Sequence, residues 1–339
     1  MRHRSIGLRL TVYCSASAVL LAAAFAIGML SGSVRIEWTD FWLFLTDPEK
    51  LSPSVHTILA DLRLPRVLLG IFTGAALALA GTGFQGILRN PLADPYIVGT
   101  SSGASLGACL AIILHIPSPV TWLSPVPFFA FIGALGAMII VYKLAEIDKK
   151  VPVETFLLAG VVVSSFAGAL VSFLMTIAGN DLHRAMLWLM GTLGQSDMQS
   201  AWLMLPYLII GAIALMIMAP ALNIAGMGEE TASSLGVNTE HLKLGVIAAG
   251  SLITAAAVAF SGLIGFMGLF IPHITRMITG PDHRILLPVA ALNGAAFLVI
   301  ADTCARTLAA PKELPVGVIT AIVGAPFFFW LLRRKKRLF

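Results

Sequence analysis

Long apolar runs, separated by short charged or Pro- and Gly-rich breaks, dominate the pattern of hydrophobic and polar positions along the 339-residue chain. Many of these runs approach the roughly 20 residues that an α-helix needs to cross a bilayer. We place ten predicted spans at residues 8–30, 67–88, 97–116, 126–142, 155–177, 201–219, 244–260, 263–278, 285–303 and 316–332. The pattern therefore predicts an all-α integral membrane protein, with residues 1–339 forming a single transmembrane domain.

The eighth span is the weakest of the ten, because Pro272, His273 and Arg276 interrupt its apolar run. An even number of spans would place both ends of the chain on the same side of the membrane. Both ends are basic, with Arg2, Arg4 and Arg9 at one and Arg333, Arg334, Lys335, Lys336 and Arg337 at the other. Since Lys and Arg are enriched in cytoplasmic loops, we predict ten spans and two cytoplasmic termini. This assignment puts 15 of the 22 Lys and Arg residues on the inner side.

The first apolar run follows a basic start and contains an Ala-x-Ala sequence at Ala24 to Ala26, so a cleaved signal peptide is one interpretation. The run is about twice as long as the apolar part of a typical signal peptide. We therefore expect a retained first span.

Two long loops fall on opposite sides of the predicted membrane. Residues 31–62 form an external loop rich in acidic residues, and residues 223–243 form the longest inner loop. Within the inner loop, the sequence from Gly228 to Gly236 predicts a short polar helix that ends at glycine. Such a helix is suited to docking on a cytoplasmic partner, and a solvated loop is the alternative.

Composition agrees with the membrane interpretation. The chain has 58% hydrophobic and 12% charged residues and a mean hydropathy of +0.91, whereas soluble domains carry about 25% charged residues. The net charge of +5 does not indicate nucleic-acid binding, because the basic residues lie at the ends of apolar runs. Cys14, Cys109 and Cys304 fall in separate apolar runs and lack the close spacing of metal or redox motifs, so no metal site is expected.

The sequence lacks the context or the residues of two nucleotide-binding motifs. Gly81, Gly83 and Gly86 spell GxGxxG, but at the end of an apolar span and without the strand and the later acidic residue that a dinucleotide fold requires. A phosphate-binding P-loop needs Gly-Lys, a dipeptide that does not occur in the sequence. We therefore expect no enzyme activity and no cofactor in this chain, and any ATP must be hydrolysed by another subunit.

Small and polar residues at membrane depth and in one inner turn are candidates for a transport pathway or its gate. Gly99 and Gly103 belong to a stripe of glycines that continues to Gly107, which predicts close helix packing or, alternatively, a wide passage. Intramembrane polar residues such as Gln85 commonly face a bundle interior or a wet cavity. The pathway or gate candidates are Gln85, Asn90, Pro91, Leu92, Gly99 and Gly103.

Three arginines are predicted at the outer ends of spans. Arg63 and Arg66 flank Pro65 at a spacing that places them on one helix face, and Arg306 lies near the end of the ninth span. Local ion pairs, Asp61 with Arg63 and Asp302 with Arg306, are one explanation. A basic rim that receives an acidic partner is the other.

Several motifs, taken in order, resemble the FecCD-type permease family, the membrane subunits of bacterial importers for iron(III)-siderophores, haem and vitamin B12. The resemblance is densest in two blocks, 63–107 and 262–333. The motifs are Arg63-Leu64-Pro65-Arg66, Gly74-Ala75-Ala76-Leu77, Asn90-Pro91-Leu92-Ala93-Asp94-Pro95, Gly262-Leu263-Ile264-Gly265-Phe266-Met267-Gly268-Leu269, Pro272-His273-Ile274-Thr275-Arg276, His283-Arg284, Ala301-Asp302, Ala305-Arg306 and Glu313-Leu314-Pro315-Val316-Gly317.

The resemblance implies a ten-span subunit of the type II ABC importer architecture, located in a bacterial or archaeal plasma membrane. It implies a dimer with a second permease copy or a close relative, two cytoplasmic ATPase subunits that use ATP and Mg, and an external binding protein that delivers the chelate. By the same resemblance, Arg63, Arg66 and Arg306 would dock the binding protein. The ATPase-contacting segment would include Gly228, Glu229, Glu230, Leu235 and Gly236.

Other functional classes remain alternatives. A secondary transporter driven by an ion gradient is expected to bury acidic residues at mid-membrane, and Asp302 is the one clear candidate, near the end of a span. A membrane enzyme is expected to gather His, Asp or Glu at one depth, and the polar residues here are scattered. Which chelate is carried, and whether the permease forms a homodimer or a heterodimer, stays open.

Overall fold

A computed structural model describes residues 6–118 and 124–335 of the chain. Within these ranges the chain is helical, apart from one isolated bridge between Ile147 and Lys150. The α-helices are α1 Ile6–Leu30, α2 Trp38–Thr46, α3 Pro53–Thr57, α4 Leu64–Ile87, α5 Thr100–Ile113, α6 Pro125–Ala145, α7 Val153–Ile177, α8 Leu182–Leu189, α9 Met198–Ala225, α10 Glu229–Ser234, α11 Thr239–Ser261, α12 Met267–Thr279, α13 His283–Thr307 and α14 Val316–Lys335. The all-α prediction is confirmed.

Helices occupy all ten predicted spans, but they differ in length. Among the described residues, seven helices are long and apolar enough to cross a membrane, whereas Thr100–Ile113 and Val316–Leu331 are shorter apolar helices. The predicted eighth span corresponds to the 13-residue helix α12. At 1.5 Å per residue it is about 20 Å long, which is less than the roughly 30 Å of a bilayer core. The eighth element is therefore a helix, but too short to span the membrane by itself.

The predicted external loop at residues 31–62 is partly helical. It contains α2, and the second long helix begins at Pro53 instead of residue 67 and runs to Ile87. Ser52 caps the start of this helix, since its side chain accepts a hydrogen bond from the backbone N–H of Val55. A π-helical turn at Ile58–Arg63 carries the chain to Pro65. Proline has no backbone N–H to donate, and a wide turn of this kind tolerates the absence of that donor.

Three helices, α4, α11 and α13, form the centre of the bundle. Between 67% and 78% of their most apolar stretches is buried, compared with 11% to 28% for the spans formed by α1, α6, α7 and α9. Glycines allow the central backbones to approach closely: a methyl group on Gly74 would overlap the carbonyl of Gly294, and one on Gly81 would overlap Gly268. The small residues of the apparent dinucleotide motif therefore serve helix packing.

The glycine stripe of the third span also packs a helix pair. Gly103 and Gly107 on α5 face the backbone of Gly133 and Phe129 on α6, where a Cβ atom would overlap main-chain atoms. Gly99 precedes α5 with φ of +80°, a left-handed conformation that favours glycine. The structure thus confirms the packing interpretation of this stripe.

The outer surface of the bundle is apolar. Large hydrophobic side chains such as Phe166 on α7, Ile217 on α9 and Ile322 on α14 are each more than 60% exposed. Because exposed apolar surface of this extent is unstable in water, these faces meet lipid or another membrane subunit.

Candidate functional site

The three arginines predicted at the outer ends of spans come together, although Arg306 is far from Arg63 and Arg66 in the sequence. Arg63 ends the π-helical turn, Arg66 lies in the first turn of α4, and Arg306 lies in the last turn of α13. Their residue exposures are 4%, 8% and 5%, so all three are buried. We call these residues, with Asp302 and Glu313, the outer arginine cluster.

Arg66 is held by two carboxylates. Its Nε donates to both oxygens of Asp302 at 3.1 and 3.0 Å, and its Nη2 donates to Asp302 Oδ1 at 3.0 Å. Its Nη1 donates to Glu313 Oε2 at 2.8 Å. Buried arginine requires paired acceptors of this kind, because an uncompensated buried charge is costly.

Arg306 shares Asp302 with Arg66. The Nε of Arg306 lies 3.2 Å from Asp302 Oδ2, close enough for the predicted i, i+4 ion pair, but without the alignment of a hydrogen bond. Its Nη2 donates to the carbonyl of Gly28 at 2.9 Å. The predicted Asp302–Arg306 pair is confirmed, and it leaves the Nε of Arg306 without an aligned acceptor among the described residues.

Arg63 differs from the other two arginines because backbone carbonyls hold it. Its Nη1 donates to the Met29 carbonyl at 2.5 Å, and its Nη2 donates to the Val34 carbonyl. The local alternative, a pair between Arg63 and Asp61, is wrong: among the described residues no such ion pair forms. The carbonyls at the end of α1 are reached by folding and not by helical spacing, which is why the sequence pattern missed them.

A small cavity of about 130 Å³ opens among the three arginines. It is lined by Gly32, Ser33, Val34, Ile58, Leu62, Arg63, Arg66, Arg306 and Glu313. Three guanidinium groups face two carboxylates in the cluster, so the site has a surplus of one positive charge. A cavity with this balance is suited to an anionic group, and a carboxylate is the side chain that arginine binds best.

In the sequence, Glu313 stands out only as part of a motif, and its contact with Arg66 is not predicted. Its side chain is 46% exposed, whereas that of Asp302 is 3% exposed. The two carboxylates of Arg66 are therefore unequal: one is enclosed by helices and the other is accessible. The spacing of 247 residues between Arg66 and Glu313 is not readable from a local pattern.

On the opposite end of the bundle, the predicted short polar helix is confirmed. Gly228 precedes α10 with φ of +116°, and Gly236 follows it with φ of +84°. The helix ends with the N–H of Gly236 donating to Ser233 and that of Val237 donating to Ala232, a glycine-terminated arrangement. Glu230 and Leu235 are exposed, the latter at 60%.

A buried lysine connects α10 to its surroundings. Lys243 Nζ lies 2.7 Å from Glu229 Oε1 and 2.8 Å from Glu240 Oε1, and it donates to the carbonyl of Val151 at 3.3 Å. The backbone N–H of Val151 in turn donates to Glu240 Oε2 at 2.9 Å. The hydrogen bond that Glu229 accepts from Lys243 lowers the pKa of the Glu229 carboxyl group. We call Lys243, Glu229, Glu240 and Val151 the inner lysine cluster.

The predicted turn between spans two and three is confirmed, and it lies at the same end. The side chain of Asn90 accepts a hydrogen bond from the N–H of Leu92 at 2.9 Å, and Leu92 is 45% exposed. Asp94 caps the 3-10 turn Pro95–Val98 by accepting from the N–H of Tyr96 at 2.8 Å, and burial raises the pKa of Asp94 to about 6.

Gln85 lies just inside this turn and is buried. Its Nε2 donates to the carbonyls of Gly268 and Leu269 at 3.3 and 3.2 Å, which ties α4 to the start of α12. Its Oε1 has no partner among the described residues. The structure thus places Gln85 in the bundle interior, one of the two positions expected for an intramembrane polar residue.

An apolar groove of about 720 Å³ runs along α14. It is lined by Leu189, Met190, Leu263, Gly265, Phe266, Gly317, Val318, Ala321, Ile322, Ala325 and Pro326. Gly99 and Gly103, which were candidates for a passage, do not contribute to it. The groove residues come from three separate apolar stretches of sequence, in which hydropathy cannot separate lipid-facing from pathway-facing positions.

The chain is similar to known proteins over nearly its whole length. The model of the FecCD transport family matches residues 20–334. The cobalamin import system permease protein BtuC of Halobacterium salinarum is 48% identical over 84% of this chain and 75% of that protein. The hemin transport system permease protein HmuU of Yersinia pestis is 41% identical over 94% and 93%. The Fe(3+) dicitrate transport system permease protein FecD of Escherichia coli is 38% identical over 93% and 96%.

A solved structure shares the architecture. It is described as an inward-facing conformation of a metal-chelate type ABC transporter, and it matches with a TM-score of 0.83 and 30% identity. The match covers 95% of this chain and 98% of the other. The helical arrangement described above is therefore that of an importer membrane subunit.

Proposed function

The chain belongs to the FecCD transport family, and from this premise we propose its function: it is the membrane-spanning permease subunit of an ATP-binding-cassette importer. The cargo class is a cobalamin, a haem or a ferric chelate, the three kinds named for its relatives. The chain is a multi-pass transport subunit of the plasma membrane and not an enzyme. Partner ATPase subunits use ATP and Mg, and an external binding protein delivers the cargo.

The topology that we propose has ten crossings and two cytoplasmic termini. Helices at all ten predicted positions support it, with α12 completed as a crossing by the non-helical residues 262–266 before it. The basic residues Arg2, Arg4, Lys336 and Arg337, on which the orientation depends in part, lie outside the described residues. In this orientation the outer arginine cluster faces the binding protein and the inner lysine cluster faces the ATPase.

The outer arginine cluster is the proposed docking site of the binding protein. The observations that support it are the cavity shared by Arg63, Arg66 and Arg306 and its surplus positive charge. Because these arginines are buried in the isolated chain, the acidic partner side chain has to enter the cavity instead of pairing with an exposed rim. Electrostatic complementarity of this kind sets the orientation and the rate of association.

The short helix α10 is the proposed contact with the ATPase. Gly228, Glu229, Glu230, Leu235 and Gly236 form the segment, in which Glu230 and Leu235 are exposed to a cytoplasmic partner and Glu229 is tied to Lys243. ATP binding and hydrolysis would bias inward-open against outward-open arrangements by moving this segment. Alternating access requires two such states and a partner that prefers one of them.

A second copy of the permease, or a close relative, would complete the pathway. The apolar groove along α14 supports a passage between two copies, because its 720 Å³ opens outward from a single chain. Asn90, Pro91 and Leu92 are proposed at its inner gate, where Leu92 is exposed, and Gln85 holds this turn against α12. Gly99 and Gly103 stay candidates for this pathway, and within the single chain both lie against α6.

Transport is testable in vesicles that contain the permease with its ATPase and binding protein. ATP-dependent uptake of one labelled cobalamin, haem or ferric siderophore is expected, and it should stop when the ATPase subunit carries an inactivating substitution in its own nucleotide site. Uptake that survives this substitution but is abolished by an ionophore at constant ATP would support a secondary transporter and contradict the proposal.

Docking is testable with the purified binding protein. Arg63→Glu is expected to weaken association because it reverses a charge that has no carboxylate partner among the described residues. Arg35→Glu, at an exposed arginine of the same loop region, should have little effect. Normal assembly with the ATPase would show that both variants fold. Equal association of both variants with the binding protein would contradict a docking role for the cluster.

A further inference from the structure

Glu313 combines two properties that no other carboxylate of the outer arginine cluster has. Its Oε2 accepts a hydrogen bond from Arg66 Nη1 at 2.8 Å, yet its side chain is 46% exposed. It lines the small arginine cavity, and it also lines a second cavity of about 390 Å³ that extends toward Arg184, Trp188 and Asp197. A group that approaches the arginines from outside therefore meets Glu313 before it meets Asp302.

The position of Glu313 in the chain gives this contact a mechanical consequence. It lies in the segment between the end of α13 at Thr307 and the start of α14 at Val316. This segment is attached to α13 by the N–H of Leu314, which donates to the carbonyl of Ala305 at 3.0 Å. The side chain of Glu313 and the backbone of Leu314 are thus two adjacent attachments of the outer end of α14.

The first turns of α14 reach the apolar groove directly. Gly317 packs so closely that a Cβ atom would overlap the carbonyl of Met190, and Gly317 and Val318 both line the groove. Because Gly317 leaves no free space against Met190, a small displacement of the outer end of α14 would disrupt this contact. Close-packed interfaces of this kind respond to displacement by switching between arrangements instead of deforming continuously.

We infer that Glu313 is a latch that an acidic side chain of the binding protein displaces from Arg66, so that docking releases the outer end of α14. This inference rests on the proposed docking function of the outer arginine cluster. The exchange replaces one carboxylate on Arg66 Nη1 by another, so the charge of the buried site is unchanged while one attachment of α14 is lost. Asp302 keeps its bidentate hold on the same arginine throughout.

Because Glu313 competes with the binding protein for Arg66, removing its charge is expected to strengthen the association. Glu313→Gln keeps the shape of the side chain but removes the charge that competes for Arg66, so the binding protein should associate about tenfold more tightly, the effect of losing one charge-assisted hydrogen bond in the free permease. Glu49→Gln, at an exposed acidic residue of the external loop, is the matched control and should leave the dissociation constant unchanged. Unchanged or weaker association of Glu313→Gln would overturn the latch.

Release of α14 is measured separately by thiol labelling. Val318→Cys, at a groove position that is 36% exposed, would be introduced after Cys14, Cys109 and Cys304 are replaced by serine. The rate of reaction with a maleimide should rise several-fold when the binding protein is added, and also in Glu313→Gln without it. Equal rates in all three states would overturn the proposed release.

The two proposals fail in different ways. If Arg63→Glu leaves the association with the binding protein unchanged, the docking site itself is wrong. If Arg63→Glu weakens association while Glu313→Gln alters neither association nor labelling of position 318, docking stands and Glu313 is only a structural partner of Arg66.

Discussion

The two ionic clusters lie at opposite ends of the bundle. Both pair buried cationic side chains with carboxylates, but the signs of their net charges are opposite. The outer arginine cluster sets three guanidinium groups against two carboxylates, whereas the inner lysine cluster sets one ammonium group against two. The outer cluster thus has a cation to spare and a cavity beside it. In the inner cluster both carboxylates and the Val151 carbonyl converge on the single Lys243.

The clusters also differ in what they join. Asp302 and its two arginines belong to the central helices α4 and α13, whose buried faces hold them in place. Lys243 instead joins α10, the start of α11 and the segment before α7. Under the proposed functions, this difference would make the outer cluster a rigid receptor with one exchangeable carboxylate, and the inner cluster a connection that carries movement from the ATPase.

The largest expected effect is at the rigid part of the outer cluster. Asp302→Asn removes the carboxylate that Arg66 and Arg306 share, and leaves buried positive charge without compensation. Breaking a buried ion pair in this way costs about 3–5 kcal/mol. Thermal unfolding of the protein purified in detergent should show a large loss of stability, or the variant should fail to accumulate in the membrane.

The matched control is Asp47→Asn, because Asp47 also forms a short ion pair, with Lys50 at 2.5 Å, but in an exposed position. This variant should lose no more than about 1 kcal/mol. Equal losses for the two variants would remove the distinction between the buried receptor and an ordinary surface pair.

The second expected effect is on coupling at the inner cluster. Lys243→Met keeps much of the side-chain volume but disconnects Glu229 of α10 from the Val151 segment. ATPase activity of the assembled importer should persist, while cargo transported per ATP should fall several-fold, because the hydrogen bonds through which Lys243 joins Glu229 to the Val151 segment are lost. Uptake and phosphate release would be measured in the same vesicles.

Lys150→Met is the control for this variant, since Lys150 is exposed and adjacent to Val151 in the chain. It should transport normally. A loss of ATPase activity in Lys243→Met, in parallel with transport, would indicate failed assembly instead of failed coupling, and the connecting role would have to be abandoned.

Local patterns in the sequence predicted the elements of both clusters and the i, i+4 pair of Asp302 with Arg306, but not the contacts between residues that are distant in the sequence. The short helix α10 and the glycine contacts of α5 follow from residue types at helical spacing, and both predictions are confirmed. The pairing of Arg66 with Asp302 joins residues 236 positions apart, which no periodicity reveals. The start of the second helix at Pro53 was missed because hydropathy registers polar turns as loops, although Ser52 and Pro53 are typical of a helix start.

A smaller effect is expected at Asp282, which accepts hydrogen bonds from Asn223 and Arg284 at the same end of the bundle. Hydrogen bonds from Arg284 and Asn223 lower the pKa of Asp282 from 3.8 to about 2. Because the folded state holds this carboxylate ionised, its stabilisation is present above the ordinary pKa and is lost as the pH falls from 3.8 to about 2. The variant Asp282→Asn should lack this pH-dependent part of the free energy of unfolding.

Thermal unfolding of wild type and Asp282→Asn over this pH range tests the expectation. The two proteins should differ in stability at neutral pH by no more than about 1 kcal/mol, since solvent screens the exposed part of the site, and the difference should shrink at the acid end. A difference that stays constant with pH would assign the stabilisation to packing and not to the charge of Asp282.

The smallest effect is expected at an exposed ion pair that has the same N–O distance as a pair of the inner lysine cluster. Lys143 lies 2.8 Å from Glu146, as short a contact as Lys243 makes with Glu240, but its side chain is 68% exposed compared with 10% for Lys243. Exposed pairs three or four residues apart on a helix contribute about 0.2–0.5 kcal/mol, so Lys143→Met should change neither stability nor transport per ATP appreciably. If Lys143→Met instead lowered transport as much as Lys243→Met, the charge of the inner face as a whole, and not the buried connection to Val151, would carry the coupling.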